Sequence, residues 1–220
     1  MSATATTVSG GSAPATELYE TTSGQPELVR HEASSNEWLG IVLFIVSEAV
    51  MFGAFFAQYF YNRLLAPEWP IRAGLPDTFE RVPAFPLPLV LTALLVASGF
   101  TAHFAQSAIR RDDRDALQGW LIVTILLGLG FLSGQAVEYT NLFREGFNVT
   151  SGIYGSVFFC MTGLHGLHVT AGIVILTGVV VRAFMGHFSS TNHFAVEGTI
   201  LYWHFVDVVW LALYAALYLL

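Results

Sequence analysis

Long apolar runs broken by short polar segments organise this chain. Five stretches, 38–61, 86–109, 117–140, 153–182 and 197–220, are each apolar over a length sufficient to cross a bilayer. A helix needs about 20 such residues for that. The breaks carry turn chemistry. Residues 62–85 hold Pro67, Pro70, Pro76 and Pro83, which predicts an extended loop. The RRDDRD run at 110–115 predicts a tight charged turn. Residues 141–152 contain Gly146, Asn148 and Gly152, and 183–196 contain Gly186, Ser189, Ser190 and Asn192. Pro86 and Pro88 fall in the first turn of their helix, where a missing N–H costs little. The pattern predicts an all-α integral membrane bundle of five transmembrane helices over 38–220.

Residues 1–37 are rich in Ser, Thr, Ala, Gly and Glu with few large apolar side chains. Such a segment buries too little surface to offset its ordering entropy, so the expectation is a mobile polar tail. It lacks the basic start and apolar core of a secretory signal.

Composition agrees. Hydrophobic residues make up 54% of the chain and charged residues 11%, whereas soluble domains carry about 25% charged residues. All nine cations are arginine, and the net charge of −7 argues against nucleic-acid binding. The single cysteine, Cys160, lies inside an apolar run and reads as a packing residue. With the N-terminus inside, Arg30, Arg110, Arg111, Arg114 and Arg182 face the cytoplasm, against Arg63, Arg72, Arg81 and Arg144 outside. The bias is small, but the Arg cluster at 110–114 adjoins a helix end and favours a cytoplasmic N-terminus and an outer C-terminus.

Small residues recur within the spans: Gly40, Ser47 and Ala54 in the first; Gly119, Gly128, Gly130 and Gly134 in the third; Gly155, Gly163, Gly166 and Gly172 in the fourth. They let helix backbones approach closely in lipid, where no hydrophobic force drives association.

The candidate chemistry is ionisable. The last span places His204 and Asp207 one turn apart near its middle. An aspartate at a helix centre costs about 3 kcal/mol on insertion scales, so contacts or function must compensate. Glu48, His165 and His168 also fall at mid-depth, His103 and His204 lie somewhat nearer the cytoplasmic side, and Glu138 and Glu197 lie near interfaces. Three readings stay open: interhelical hydrogen bonds, a proton relay or lipid-headgroup role, and metal or haem ligation. His165 and His168 at i, i+3 could share a metal, but nothing in the spacing demands a cofactor. Trp38, Tyr61, Trp69, Trp120, Tyr154 and Tyr218 fit an interfacial belt, while Trp210 lies deeper and reads as helix packing.

Four segments resemble subunit III of the haem–copper terminal oxidases. They are SEAVMFGAFFAQYFY at 47–61, GFLSGQAVEY at 130–139, YGSVFFCMTGLHGLHVTAG at 154–172 and YWHFVDVVW at 202–210. The likeness extends over 38–220, and Glu48 falls on that family's buried carboxylate. It implies a non-catalytic subunit without haem or copper. Subunit I would be the main contact and hold the haems and the copper of the oxygen site; subunit II would carry the electron-entry copper. It also implies support for stability, lipid retention and proton uptake in a complex that reduces O₂ to water and pumps protons. Structural phospholipid and further respiratory subunits or a cytochrome c reductase are possible companions. Many members have seven helices, and the matched region begins at the third, so this chain resembles the five-helix bacterial form of the bacterial cell membrane. The WHFVDVVW form fits a cytochrome c oxidase; the alternatives are a quinol oxidase or, from another class, a stand-alone proton-coupled transporter.

Overall fold

The computed structural model describes residues 18–20, 26–28, 32–71, 74–76, 81–189 and 193–220. Most of the tail expected to be mobile, with Arg30, Arg72, Ser190 and Asn192, lies outside them. In the N-terminal unit, Met1–Leu39, strands β1 (Leu18–Glu20) and β2 (Pro26–Leu28) pair antiparallel with Leu18 opposite Leu28. The sequence pattern gave no sign of this short ladder.

Five helices follow: α1 (Glu32–Leu65), α2 (Leu87–Arg110), α3 (Arg114–Arg144), α4 (Gly152–Phe184) and α5 (Phe194–Tyr214). All five are long and apolar enough to cross a membrane. Helix α1 begins at Glu32, ahead of the apolar run, because Ala33 to Glu37 offer no helix breaker. Helix α5 continues into a π-helical turn, Ala215–Leu219.

The turns are locally encoded. Between α2 and α3, the Asp113 N–H bonds the Ala108 carbonyl at 3.0 Å while Asp112 takes φ 57°, a left-handed conformation that Asp tolerates better than most residues. Asp113 then caps α3, its Oδ1 accepting from the Ala116 N–H at 3.0 Å. Helices α3 and α4 both end on left-handed glycines, Gly146 and Gly186, with the next N–H returning to Leu142 and Arg182 carbonyls respectively.

Within Gly40–Leu220, α2, α3, α4 and α5 form a closed ring of neighbours. Helix α5 is the most enclosed, with 61% of its apolar window buried, against 6% for α1. Trp203 of α5 ties the ring together. Its Nε1–H donates to Ser98 Oγ of α2 at 2.9 Å. Its ring lies against Gly128 of α3 and Gly172 of α4, where an added Cβ would stand 2.8 Å from ring carbons in each case. Trp210, one turn pair further along, donates to Thr92 Oγ1 at 3.0 Å and packs edge-on against Phe131. Thr101 and Thr124 hydroxyls meet at 2.8 Å between α2 and α3.

Helix α1 attaches through long side chains instead of close backbone approach. Phe44 meets Tyr202, Phe52 meets Phe205, and the Tyr59 hydroxyl donates to the Ala216 carbonyl at 2.6 Å. Tyr154 and Tyr218, expected in an interfacial belt, are buried, because α3, α4 and the π-helical turn close over them.

Candidate functional site

The ionisable residues separate into four places. The first joins α1 to α4. His168 Nε2 lies 2.8 Å from Glu48 Oε2, and His168 Nδ1 lies 2.8 Å from the Leu164 carbonyl. A carbonyl only accepts, so Nδ1 carries a proton and donates to it. One further proton then lies between Nε2 and the carboxyl, on one side or the other. Phe52 edges against the imidazole at 5.1 Å, and the Tyr202 hydroxyl donates to the His168 carbonyl at 3.2 Å. The pair is largely shielded, with side-chain exposures of 13% and 20%.

The second place is the α3–α4–α5 seam. Phe131, Gln135 and Glu138 share the buried face of α3. Tyr218 donates to Glu138 Oε2 at 3.0 Å. Glu138 Oε1, both polar atoms of Gln135 and both ring nitrogens of His165 have no hydrogen-bond partner among the described residues. His165 is fully buried, tilted against Trp210 at 5.1 Å and edge-on to Phe131. Helix α4 thus turns its two histidines in different directions: His168 towards α1, His165 into the ring.

The third place is the α2–α5 seam. His204 Nδ1 stands 3.8 Å from Asp207 Oδ2. Gly99 makes room for that carboxylate, since a Cβ there would collide with Oδ2. His103, one turn along α2, is exposed. The fourth place is the far end of the same seam. Glu197 Oε1 accepts from Arg110 Nε at 3.0 Å and Nη2 at 2.8 Å, and Gln106 Nε2 donates to it at 3.4 Å. His193 Nε2 lies 3.6 Å away.

Among the described residues, no three His, Cys, Asp or Glu side chains gather to hold a metal ion. His103, His165, His168 and His204 are spread over three of these places. Sequence reasoning singled out neither Gln135 nor Tyr218 as site residues, although the Gln-x-x-Glu spacing puts Gln135 and Glu138 on one helix face. It also passed over a groove of about 400 Å³ beside α1, lined by Ile41, Phe44, Ile175, Val179, Arg182 and Tyr202 among others.

Comparison with known proteins places this geometry. The cytochrome c oxidase subunit III family profile matches residues 29–220. Cytochrome c oxidase subunit 3 of Synechocystis is 42% identical over 182 residues, covering 82% of this chain and 74% of the relative. That of Thermostichus vulcanus is 36% identical over 191 residues, covering 86% and 90%. The human protein is 44% identical over 181 residues, covering 81% and 67%. A profile spanning nearly the whole membrane bundle, together with relatives this alike in bacteria and man, establishes that the chain belongs to the cytochrome c oxidase subunit III family and is a multi-pass membrane subunit of an oxidase complex.

Proposed function

We propose that the chain is the non-catalytic scaffold of a bacterial cytochrome c oxidase that reduces O₂ to water and pumps protons. It lies in the cell membrane with its N-terminus cytoplasmic. The haems and copper belong to neighbouring subunits I and II, and this chain supplies stability, lipid retention and support for proton uptake by the catalytic subunit. The observation that carries this reading is the Glu48–His168 contact at 2.8 Å. It joins a carboxyl and an imidazole across two helices at mid-depth, shielded by Phe52, and holds one transferable proton between them. Intramembrane ionisable groups mark functional paths by default.

Lipid retention is supported by the groove between α1 and the α4–α5 pair. Its walls are apolar, and the exposed Arg182 at its rim offers a cation for a phosphate. The α1 helix forms one wall, so the Glu48–His168 pair that fastens α1 also sets the width of the groove.

Glu48→Gln tests the reading. The amide is nearly isosteric and its N–H₂ donates to His168 Nε2, so the oxidase is expected to assemble with a normal haem spectrum while proton uptake during turnover slows. Failure of the variant oxidase to assemble would make the pair purely structural. Arg182→Leu is expected to lower the phospholipid phosphate that co-purifies; an unchanged lipid content refutes that part.

A further inference from the structure

Polar groups within the spans are almost all turned inward or satisfied by their own helix. Glu48 has His168, Glu138 has Tyr218, and His165 is enclosed. The exposed hydroxyls of Ser47, Ser133 and Thr170 donate to carbonyls one turn back, a bond that leaves no unmet polarity towards lipid. The α2–α5 seam departs from this. His204 is 39% exposed on the outer side of α5, close to the middle of its span, and His103 is exposed on the adjoining stretch of α2.

The outward strip of α5, running through Leu201, His204, Val208 and Leu211, lies between the helix face that meets α2 and the face that meets α1. His204 Nδ1 stands 3.8 Å from Asp207 Oδ2, and its Nε2 has no hydrogen-bond partner among the described residues. Asp207 Oδ1 has no donor among the described residues. An imidazole left to hydrocarbon forfeits the hydrogen bonds that water would give it, a loss of several kcal/mol for an isolated polar group. The complement to such a surface is a helix that is apolar where it meets Phe100 and Val208 and polar opposite His204.

We propose that the α2–α5 seam bearing His103, His204 and Asp207 is the surface on which this chain docks against a transmembrane helix of another oxidase subunit. That helix carries a hydroxyl or amide side chain opposite His204, a group able to donate or accept whichever imidazole nitrogen holds the proton. The proposal rests on the chain being a subunit of an oxidase complex and names the face it uses. It also accounts for Gly99, whose missing Cβ lets the Asp207 carboxylate lie against α2 and hold His204 in its outward pose.

Photo-crosslinking in native membranes tests it. A benzophenone side chain is placed singly at Phe100 and Val208, on the seam, and at Leu126 and Val174, on α3 and α4. The four positions have matched exposures of 63%, 64%, 61% and 66%. Irradiation is expected to join the Phe100 and Val208 probes to another oxidase subunit, and to leave the Leu126 and Val174 probes joined to lipid. Subunit adducts from Leu126 or Val174 with only lipid at the seam would overturn the proposal, as would equal yields at all four or dimers of this chain from the seam probes. His204→Leu is expected to release this chain from the oxidase during detergent washing, and His204→Gln to retain it; retention of the leucine variant would also count against the polar contact. If the wild-type chain brings down no oxidase subunit, the assignment to a complex fails instead, and the two failures are distinct.

Discussion

Gly128→Ala and Gly172→Ala probe the Trp203 clamp from two helices, α3 and α4. A Cβ at Gly128 would stand 2.8 Å from Cη2 of Trp203, and one at Gly172 would stand 2.8 Å from Cε3 and Cζ3. Both contacts fall on the six-membered ring, and the Nε1–H of the same indole is tied to Ser98, so the ring has little freedom to retreat. Two effects compete. Alanine gains up to about 1 kcal/mol over glycine in a helix interior. Overpacking a tight contact costs about 1–3 kcal/mol. Because the obstacle is a rigid ring tethered through its Nε1–H, overpacking wins, and each single variant is expected to lose about 1–2 kcal/mol. The double variant is expected to lose more than the sum, since both methyl groups press on one ring. In a Trp203→Leu background both rings of the indole are gone, so the same Gly→Ala changes should become neutral or stabilising. Reversible SDS unfolding in mixed micelles, followed by helical circular dichroism, measures these variants and the Trp203→Leu reference. If Gly128→Ala and Gly172→Ala cost as much with leucine at 203 as with tryptophan, the clamp is not the reason for these glycines.

Three further outcomes follow from the geometry. Asp113→Ala removes the side-chain cap of α3 and is expected to cost about 1 kcal/mol in the same SDS titration, with Asp113→Ser retaining most of the stability. Asp112→Val places a β-branched residue at φ 57° and is expected to destabilise by roughly 1–2 kcal/mol, whereas Asp112→Gly stays near wild type; equal unfolding midpoints for the two would refute the strain argument. Arg110→Gln breaks the ion pair with Glu197, but the Arg110 side chain is 61% exposed. Its effect is therefore expected below about 1 kcal/mol and to shrink further at high salt; a large, salt-independent loss would mean the pair is buried against a partner.

The spans and their connections were readable because Pro67, Pro70, Pro76, Gly146 and Gly186 interrupt long apolar runs at the bilayer spacing. The directions in which side chains point were not. In a soluble helix the polar face marks the outside, but here lipid and core are both apolar, so nothing in the pattern tells Trp203 from Trp120 or His165 from His168. The sequence puts Glu48, His168, His204 and Asp207 well inside long apolar spans; only the packing shows that Glu48 meets His168 across helices, while His204 turns outward beside Asp207. That Tyr154 and Tyr218 are buried was not legible for the same reason, because position along a span fixes depth and not facing. The start of α1 at Glu32 lies outside the apolar run, and hydropathy cannot see helix where there is no hydrocarbon to cross.

The π-helical turn that ends α5 gives the bundle an anchor point made of main chain. Tyr59 reaches the Ala216 carbonyl, and Arg81 and Tyr154 converge on that of Leu217. Acceptors of this kind persist whatever side chain occupies 216 or 217, so mutational drift there cannot erase them. The first helix is thereby indexed to the last by geometry rather than by residue type, and evolution is left free to vary the lipid-facing surface around that joint.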